Sequence, residues 1–319
     1  MAGEGMGAAT AGLGMRAAAP RPILGLRARD WRRTGAALLF LAPALAVYAT
    51  VILYPMVYSA WLSLHDWDGV GPQKTFVGLD NYRILLTENR VFWVALKNTA
   101  VWTVVALTVP TSLGLLLALA LNRRLRGMAF YRSVFYFPAL LSMSITGLIF
   151  TWIYHPSLGF LNQMLEVLGM PDLQRAWLSE PSIALYAVMV AAAWHNTGLP
   201  MLLYLAGLQT IPGEVLEAAE VDGARPIRRF WSITLPMLRE TTFVVLAITF
   251  INALKVYDIV YVMTFGGPAN TTQVLGTWMY FLTYNFNRVG LGTAIAVILF
   301  ALTMIFAIPY LRRVGKDAP

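Results

Sequence analysis

Glu217-Ala218-Ala219-Glu220-Val221-Asp222-Gly223-Ala224, running on to Phe230, Ile233, Leu235 and Pro236, is the longest charged interruption in an otherwise oily chain. It lies between two apolar runs. Pro212 suits the first turn of a helix, where the donor that proline lacks would be unpaired anyway. Asp222-Gly223 reads as the end of that helix, with glycine supplying a left-handed turn. Pro226 can open a second short helix, and Pro236 marks the handover to the next apolar run. Arg225, Arg228, Arg229 and Arg239 surround this predicted helix–glycine–helix hairpin. Such a hairpin suits the surface of a membrane protein where a soluble partner docks.

Composition points the same way. The chain has 319 residues, 58% hydrophobic and 13% charged, whereas soluble domains carry roughly a quarter charged residues. It contains no cysteine, which excludes a disulfide framework, a thiol nucleophile and thiolate metal sites. The three histidines are scattered, and no metal site is expected. The net charge of +8 is spread over short basic segments beside apolar runs rather than one continuous basic face. That pattern fits membrane lipid and argues against nucleic acid as a partner.

Residues 1–33 are rich in Ala, Gly and Arg without apolar periodicity, and read as a disordered cytoplasmic tail. The charge-free run that follows, Thr34 to His65, is too long for a signal-peptide core and reads as a retained helix. Further charge-free runs cover Asn98 to Asn122, Ser133 to Gln163, Ser182 to Gly213, Thr241 to Leu254 and Val289 to Leu311. All but Thr241–Leu254 exceed the roughly 20 residues that cross a bilayer. In that one, apolar character resumes after Lys255 and Asp258. The expected spans are about 36–64, 95–121, 133–154, 182–208, 240–263 and 289–311, with the hairpin at 211–239 and a short tail at 314–319. Pro55, Pro110, Pro138 and Pro200 within spans are tolerable in a helical bundle. The fold class is therefore all-α, a polytopic membrane protein of six helices and one transmembrane domain, residues 34–313.

Of the 24 basic residues, most gather on one side, in the N-terminal tail, Arg123–Arg132, Arg225–Arg239 and Arg312–Lys316. The opposite loops hold Lys74, Arg83, Arg90, Lys97, Arg175 and Arg288. The positive-inside rule places both termini and the hairpin in the cytoplasm.

The stretch from Glu217 to Pro236 resembles the EAA loop of ABC-transporter importer permeases, the binding-protein-dependent inner-membrane components. It has that family's order of Glu-Ala-Ala, Asp-Gly-Ala, Phe and Ile-x-Leu-Pro. Where the family often has a proline shortly after Leu-Pro, this chain has Arg239-Glu240. A plain amphipathic cytoplasmic loop would not by itself place Gly223 and Pro236 at these offsets. The outer loops contain Phe76-Val77-Gly78-Leu79-Asp80-Asn81-Tyr82, Trp177-Leu178-Ser179-Glu180-Pro181 and Thr264-Phe265-Gly266-Gly267-Pro268. Each reads equally as a turn of Gly, Asn and Pro. In this order, and with Asn98-Thr99, they look like the sugar-importing branch, particularly the first permease of a two-permease pair. The resemblance runs from about residue 36 to 313.

The resemblance implies the permease subunit of an importer in a bacterial cytoplasmic membrane, working with a second similar permease, two ATPase subunits and an extracytoplasmic solute-binding protein. The chain lacks a G-x-x-x-x-G-K-[ST] phosphate cradle, so ATP and magnesium are expected in the partner ATPase, with no cofactor and no catalytic residue here. The hairpin is implied to seat in that ATPase, Glu217 making the charged contact. Ala218 and Ala219 would allow close approach, Asp222, Gly223 and Ala224 set the turn, and Pro236 ends the motif. Closure of the ATPases on ATP would then move the helices as rigid bodies. Read without the family, Glu217 is a solvated carboxylate of a first helix.

A solute path should show as polar groups inside spans. The fourth span offers Trp194, His195, Asn196 and Thr197, and the fifth offers Asn252, Lys255, Tyr257 and Asp258, with Thr249, Asn252 and Lys255 spaced to share one side of a helix. Lys255 and Asp258, three apart, read either as a structural ion pair or as a hydrogen-bonding edge for solute hydroxyls. Amides, hydroxyls and aromatic rings suit a mono-, di- or oligosaccharide, the alternative being glycerol 3-phosphate or a polyol. An intramembrane enzyme would need a nucleophile–base or metal pair that three scattered histidines do not supply, and a channel would not need a docking hairpin. No internal repeat of the kind that marks inverted-repeat carriers is visible.

Overall fold

The computed structural model describes residues 28–122 and 127–317. The expected tail over residues 1–27, the basic residues Arg123, Arg124 and Arg126, and residues 318–319 lie outside it. The chain divides into two units, one ending at Pro55 and the other beginning at Met56. The first unit is helical from Ala28 to Tyr48, so residues 28–33, which composition assigned to the tail, are helical. A π-helical turn follows at Ala49–Leu53. It spans the point where the ring of Pro55 would press on the Val51 carbonyl of a regular helix.

The second unit contains a two-residue antiparallel ribbon, His65–Asp66 with Thr75–Phe76, and the short helix Asp80–Thr87. Buried Asn81 donates through Nδ2 to the carbonyls of Ser63 (2.9 Å) and His65 (3.0 Å), tying that helix to the ribbon. Helix Arg90–Leu121 follows, capped by Asn89, whose side chain accepts from the Phe92 amide at 2.9 Å.

The remaining apolar runs are bent. Helix Met143–Ile153 stands at 97° to the segment Met128–Leu140. Pro138 lies in a tight turn there, and Ser142 caps the new helix, its hydroxyl accepting from the Ile145 amide at 3.2 Å. Ala184–Gln209 and Gly213–Val221 meet at 74°, and Pro226–Met237 and Arg239–Leu254 at 69°. Six spans were expected. Leu38–Leu62 and Arg90–Leu121 are each long and apolar enough to cross a membrane, and the bent pairs raise the number to five if each is one span. The last expected span falls on helix Val289–Asp317, whose apolar described part, Val289–Ile305, is shorter. The 74° and 69° bends fall at the ends of the expected hairpin, whereas the 97° bend falls between Pro138 and Ser142, within a charge-free run that composition reads as one span.

Three apolar clusters hold the second unit. One joins Trp102 and Tyr154 to Val188 and Ile259, a second joins Leu85 and Phe92 to Leu275, Trp278 and Ile295, and a third joins Ala118 and Tyr204 to Leu238 and Val245. Small residues let the helices approach, as packing in lipid requires. A Cβ at Gly114 would stand 2.7 Å from Pro200 Cβ and 2.8 Å from the Met201 amide nitrogen. Because backbone cannot step aside, Gly114→Ala is expected to destabilise the detergent-solubilised protein by about 1–3 kcal/mol. Gly213→Ala, which meets open space, should leave the melting temperature nearly unchanged. Equal melting of the two variants would overturn this account of the helix contact.

Candidate functional site

Helix Gly213–Val221 begins after Pro212, which stands one position outside it with φ −60° and ψ 131°. It ends as the Asp222-Gly223 pair predicts. Gly223 has φ +76°, its N–H donates to the Glu220 carbonyl (3.0 Å), and the Ala224 N–H donates to the Ala219 carbonyl (2.9 Å). These two bonds satisfy carbonyls that a helix end leaves open. Pro226 opens the next helix, Pro226–Arg229, and Arg229 Nη1 reaches Glu220 Oε2 at 3.1 Å, bracing the two. A π-helical turn, Phe230–Thr234, then leads through Leu235–Met237 to the fully buried Leu238.

Glu217, Ala218, Asp222, Gly223 and Pro236 are exposed, and Ala224 is half-buried. The two alanines separate: Ala218 faces outward, whereas Ala219 is buried within the chain. Only Ala218 of that pair is therefore placed for close approach by another molecule. Val221, Ile227 and Trp231 are 89%, 76% and 63% exposed around the same turn. Sequence reasoning passed over these three, although apolar residues among charged ones were the available signal.

In the fourth apolar run, Trp194, His195 and Asn196 close helix Ala184–Asn196, and Thr197 joins it to Gly198–Gln209. Trp194 is partly exposed, with its ring centroid 5.5 Å from that of Phe150. His195 Nδ1 lies 3.0 Å from the Thr146 hydroxyl, which ties two apolar runs together. Asn196 lines a small crevice with Trp102, Pro110 and Met189. The Thr197 hydroxyl donates to the Ala193 carbonyl at 2.6 Å and Thr197 is buried, so its one donor is used on the preceding helix. These four side chains thus do not all point at one space.

Helix Arg239–Leu254 stops at Lys255, and helix Asp258–Thr264 starts anew. Asn252, Lys255 and Asp258 are exposed and Tyr257 is half-buried. Of the two readings of Lys255 and Asp258, the ion pair is not formed. Among the described residues the ion pairs are Arg83 with Asp80 and Glu88, and Arg229 with Glu220. Tyr257, at φ −148° and ψ −60°, breaks the helix between them, and the i,i+3 alignment needs an unbroken helix. Asp258 instead stands in the first turn of its helix, where the dipole favours a carboxylate.

Tyr257 belongs to a row of rings that sequence reasoning missed. Its centroid lies 5.2 Å from those of both Tyr261 and Tyr280, and Tyr280 lies 4.9 Å from Tyr284. Phe265 extends the row, 4.7 Å from Tyr261 and 4.7 Å from Phe281. The available signal was tyrosine at i and i+4 twice, 257/261 and 280/284, a spacing that stacks side chains on one helix face. Phe265 also lines a cleft of about 530 Å³ together with Thr151, His155, Ser179, Thr264 and Pro268.

The family described as binding-protein-dependent transport system inner membrane component matches residues 110–314. The trehalose/maltose transport system permease protein MalF of Thermococcus litoralis is 38% identical over 278 residues, covering 87% of this chain and 92% of that protein. The sulfoquinovosyl glycerol transport system permease protein SmoG of Agrobacterium fabrum is 37% identical over 279 residues, covering 86% and 89%. The diacetylchitobiose uptake system permease protein NgcF of Streptomyces coelicolor is 34% identical over 286 residues, covering 85% and 79%. The fold is similar to a chain of a bacterial alginate ABC transporter, solved in complex with an alginate pentasaccharide-bound periplasmic protein. The TM-score is 0.78 at 22% identity, over 91% of this chain and 99% of that one. The chain belongs to the family of binding-protein-dependent transport system inner membrane components, the transmembrane permeases of ABC transporters.

Proposed function

We propose that this chain is a permease subunit of an ATP-driven importer that takes a mono-, di- or oligosaccharide from a solute-binding protein and releases it into the cytoplasm by alternating access. It crosses the membrane six times with both termini inside, and it pairs with a second, similar permease. Two ATPase subunits, which carry ATP and magnesium, dock on the hairpin at 211–239. The observation that carries the reading is the turn at Gly223, which holds Glu217, Ala218, Ile227 and Trp231 outward beside apolar helices. An exposed carboxylate rimmed by exposed apolar side chains has the make-up of a protein-docking surface. The sugar solute is supported by the names of the relatives, and the binding-protein partner by the alginate transporter complex.

Asn196, on its crevice, and Asn252, exposed at a helix end, are the amides assigned to the solute path, with Trp194 and Tyr257 as ring faces. His195 and Thr197 are assigned to positioning, since each is already bonded within the chain. Lys255 is exposed and outside the ion pairs of the described residues, which favours a second reading, an anionic solute such as glycerol 3-phosphate. Lys255 would then meet the phosphate and Asp258 would stand beside it.

The test is a solute screen on the complex assembled in lipid with its cognate binding protein, reading ATPase stimulation and uptake. Stimulation by one saccharide class is expected, and Asn196→Ala or Asn252→Ala should raise the uptake KM by about tenfold, the effect of one lost solute hydrogen bond. Stimulation by glycerol 3-phosphate alone would replace the sugar assignment and move Lys255 to the centre. Absence of any stimulating solute would defeat both.

A further inference from the structure

The aromatic row is longer than the solute path requires. Tyr257 stands at the start of the helix that carries Tyr261, and Tyr280 and Tyr284 come from the segment 275–285. Interfacial tyrosines in membrane proteins sit with their rings at the headgroup level. Here each ring has another ring as neighbour, in a line crossing two elements. Tyr284 is 70% exposed and Phe265 is 50% exposed at the two ends of this line. Exposed Asn285 and Asn287 flank the Tyr284 end. The surface therefore offers flat apolar faces edged by neutral hydroxyls and amides. Phe265 belongs both to this line and to the wall of the 530 Å³ cleft, a volume within the range of small-molecule sites.

We propose that the row from Phe265 through Tyr261, Tyr257 and Tyr280 to Tyr284 is a carbohydrate-stacking site on the outer side, a station the solute occupies before it meets Asn252. This rests on the sugar-importer reading and its outward placement of the loop that begins at Thr264 and ends before the last expected span at 289–311. A pyranose ring has an apolar C–H face and a rim of hydroxyls, the same combination a tyrosine presents. Rings placed in series let a saccharide pass from one to the next while keeping an aromatic contact, so that no single position holds it too tightly to release.

The experiment uses the full complex in lipid with its binding protein. The chain has no cysteine, so Tyr284→Cys gives a unique thiol in this subunit, followed with a membrane-impermeant maleimide. Labelling from the outer side should proceed, and a transported sugar should slow it about three- to tenfold, the scale of one aromatic contact. Tyr284→Ala should raise the uptake KM by a similar factor, whereas Tyr284→Phe, which keeps the ring, should not. Labelling indifferent to sugar, in a complex that still takes sugar up, overturns the stacking site alone. So does a thiol blocked with and without sugar, which would assign the row to contact with the second permease. If the unsubstituted complex takes up no sugar, the importer reading fails and the stacking site with it.

Discussion

In a complex reconstituted with its ATPase subunits, Glu217→Lys is expected to abolish ATP hydrolysis stimulated by loaded binding protein while leaving the permease inserted and stable. The two halves of this expectation have separate causes. Glu217 is exposed on helix Gly213–Val221 and outside the ion pairs of the described residues, so reversing its charge disturbs nothing inside the chain. Surface substitutions of this kind stay within about 0.5 kcal/mol of stability. At a docked interface the same change leaves the partner's group unpaired and opposed, costing about 2–5 kcal/mol, enough to reduce ATPase association by more than tenfold. Co-purification of the ATPase and its stimulated rate read the effect, and Glu217→Gln should fall between. Gly223→Val tests the geometry separately. Nothing crowds a Cβ there, so its cost arises from φ +76° alone, a region that a β-branched residue rarely enters. A Glu217→Lys complex that still responds to loaded binding protein would remove the coupling role from this hairpin.

The contrast between those two residues shows what the sequence could convey. Asp222-Gly223 announced a helix end because a positive φ is a local requirement and glycine meets it locally. The apolar helices were legible for the same reason, since a charge-free run needs no knowledge of its neighbours. The 97° bend before Met143 was not, although Pro138 and Ser142 were visible. A proline or a serine permits a break, but whether the chain bends there depends on what packs against it. The ion-pair reading of Lys255 and Asp258 failed in the same way, because the i,i+3 inference assumed a helix that Tyr257 interrupts. The aromatic row was beyond reach for a different reason. Its two halves, 257/261 and 280/284, are separated by a loop, and only the tertiary fold sets one beside the other.

That loop is itself held by a contact across the chain, and Asn98→Leu is expected to release it. Asn98 Nδ2 donates to the carbonyls of Thr271 at 2.7 Å and Gln273 at 2.8 Å, 173 and 175 positions away. The next residue continues the seam, Thr99 Oγ1 accepting from the Leu275 amide at 2.9 Å. Beneath them Thr272, Gln273 and Thr277 are completely buried, with the Thr272 hydroxyl 2.7 Å from both the Gly267 carbonyl and the Thr264 hydroxyl. Leucine keeps the branched outline of the side chain and adds no charge, and the change removes both donors. Each carbonyl left without a partner costs about 1–3 kcal/mol, and the two losses fall on one short loop. The loop should therefore open locally rather than the whole unit unfold, since the apolar clusters around Val188 and Leu275 are untouched. Hydrogen exchange should show the Thr272 amide, bonded to the Gly266 carbonyl within the loop, losing protection while the amides of helix Arg90–Leu121 keep theirs. Because Phe265, Gly267 and Pro268 wall the cleft on this side, sugar uptake should fall together with that protection. Uptake and protection both unchanged would mean that the Asn98 bonds are replaceable, and that the burial of Gln273 and Thr277 is enough to hold the loop.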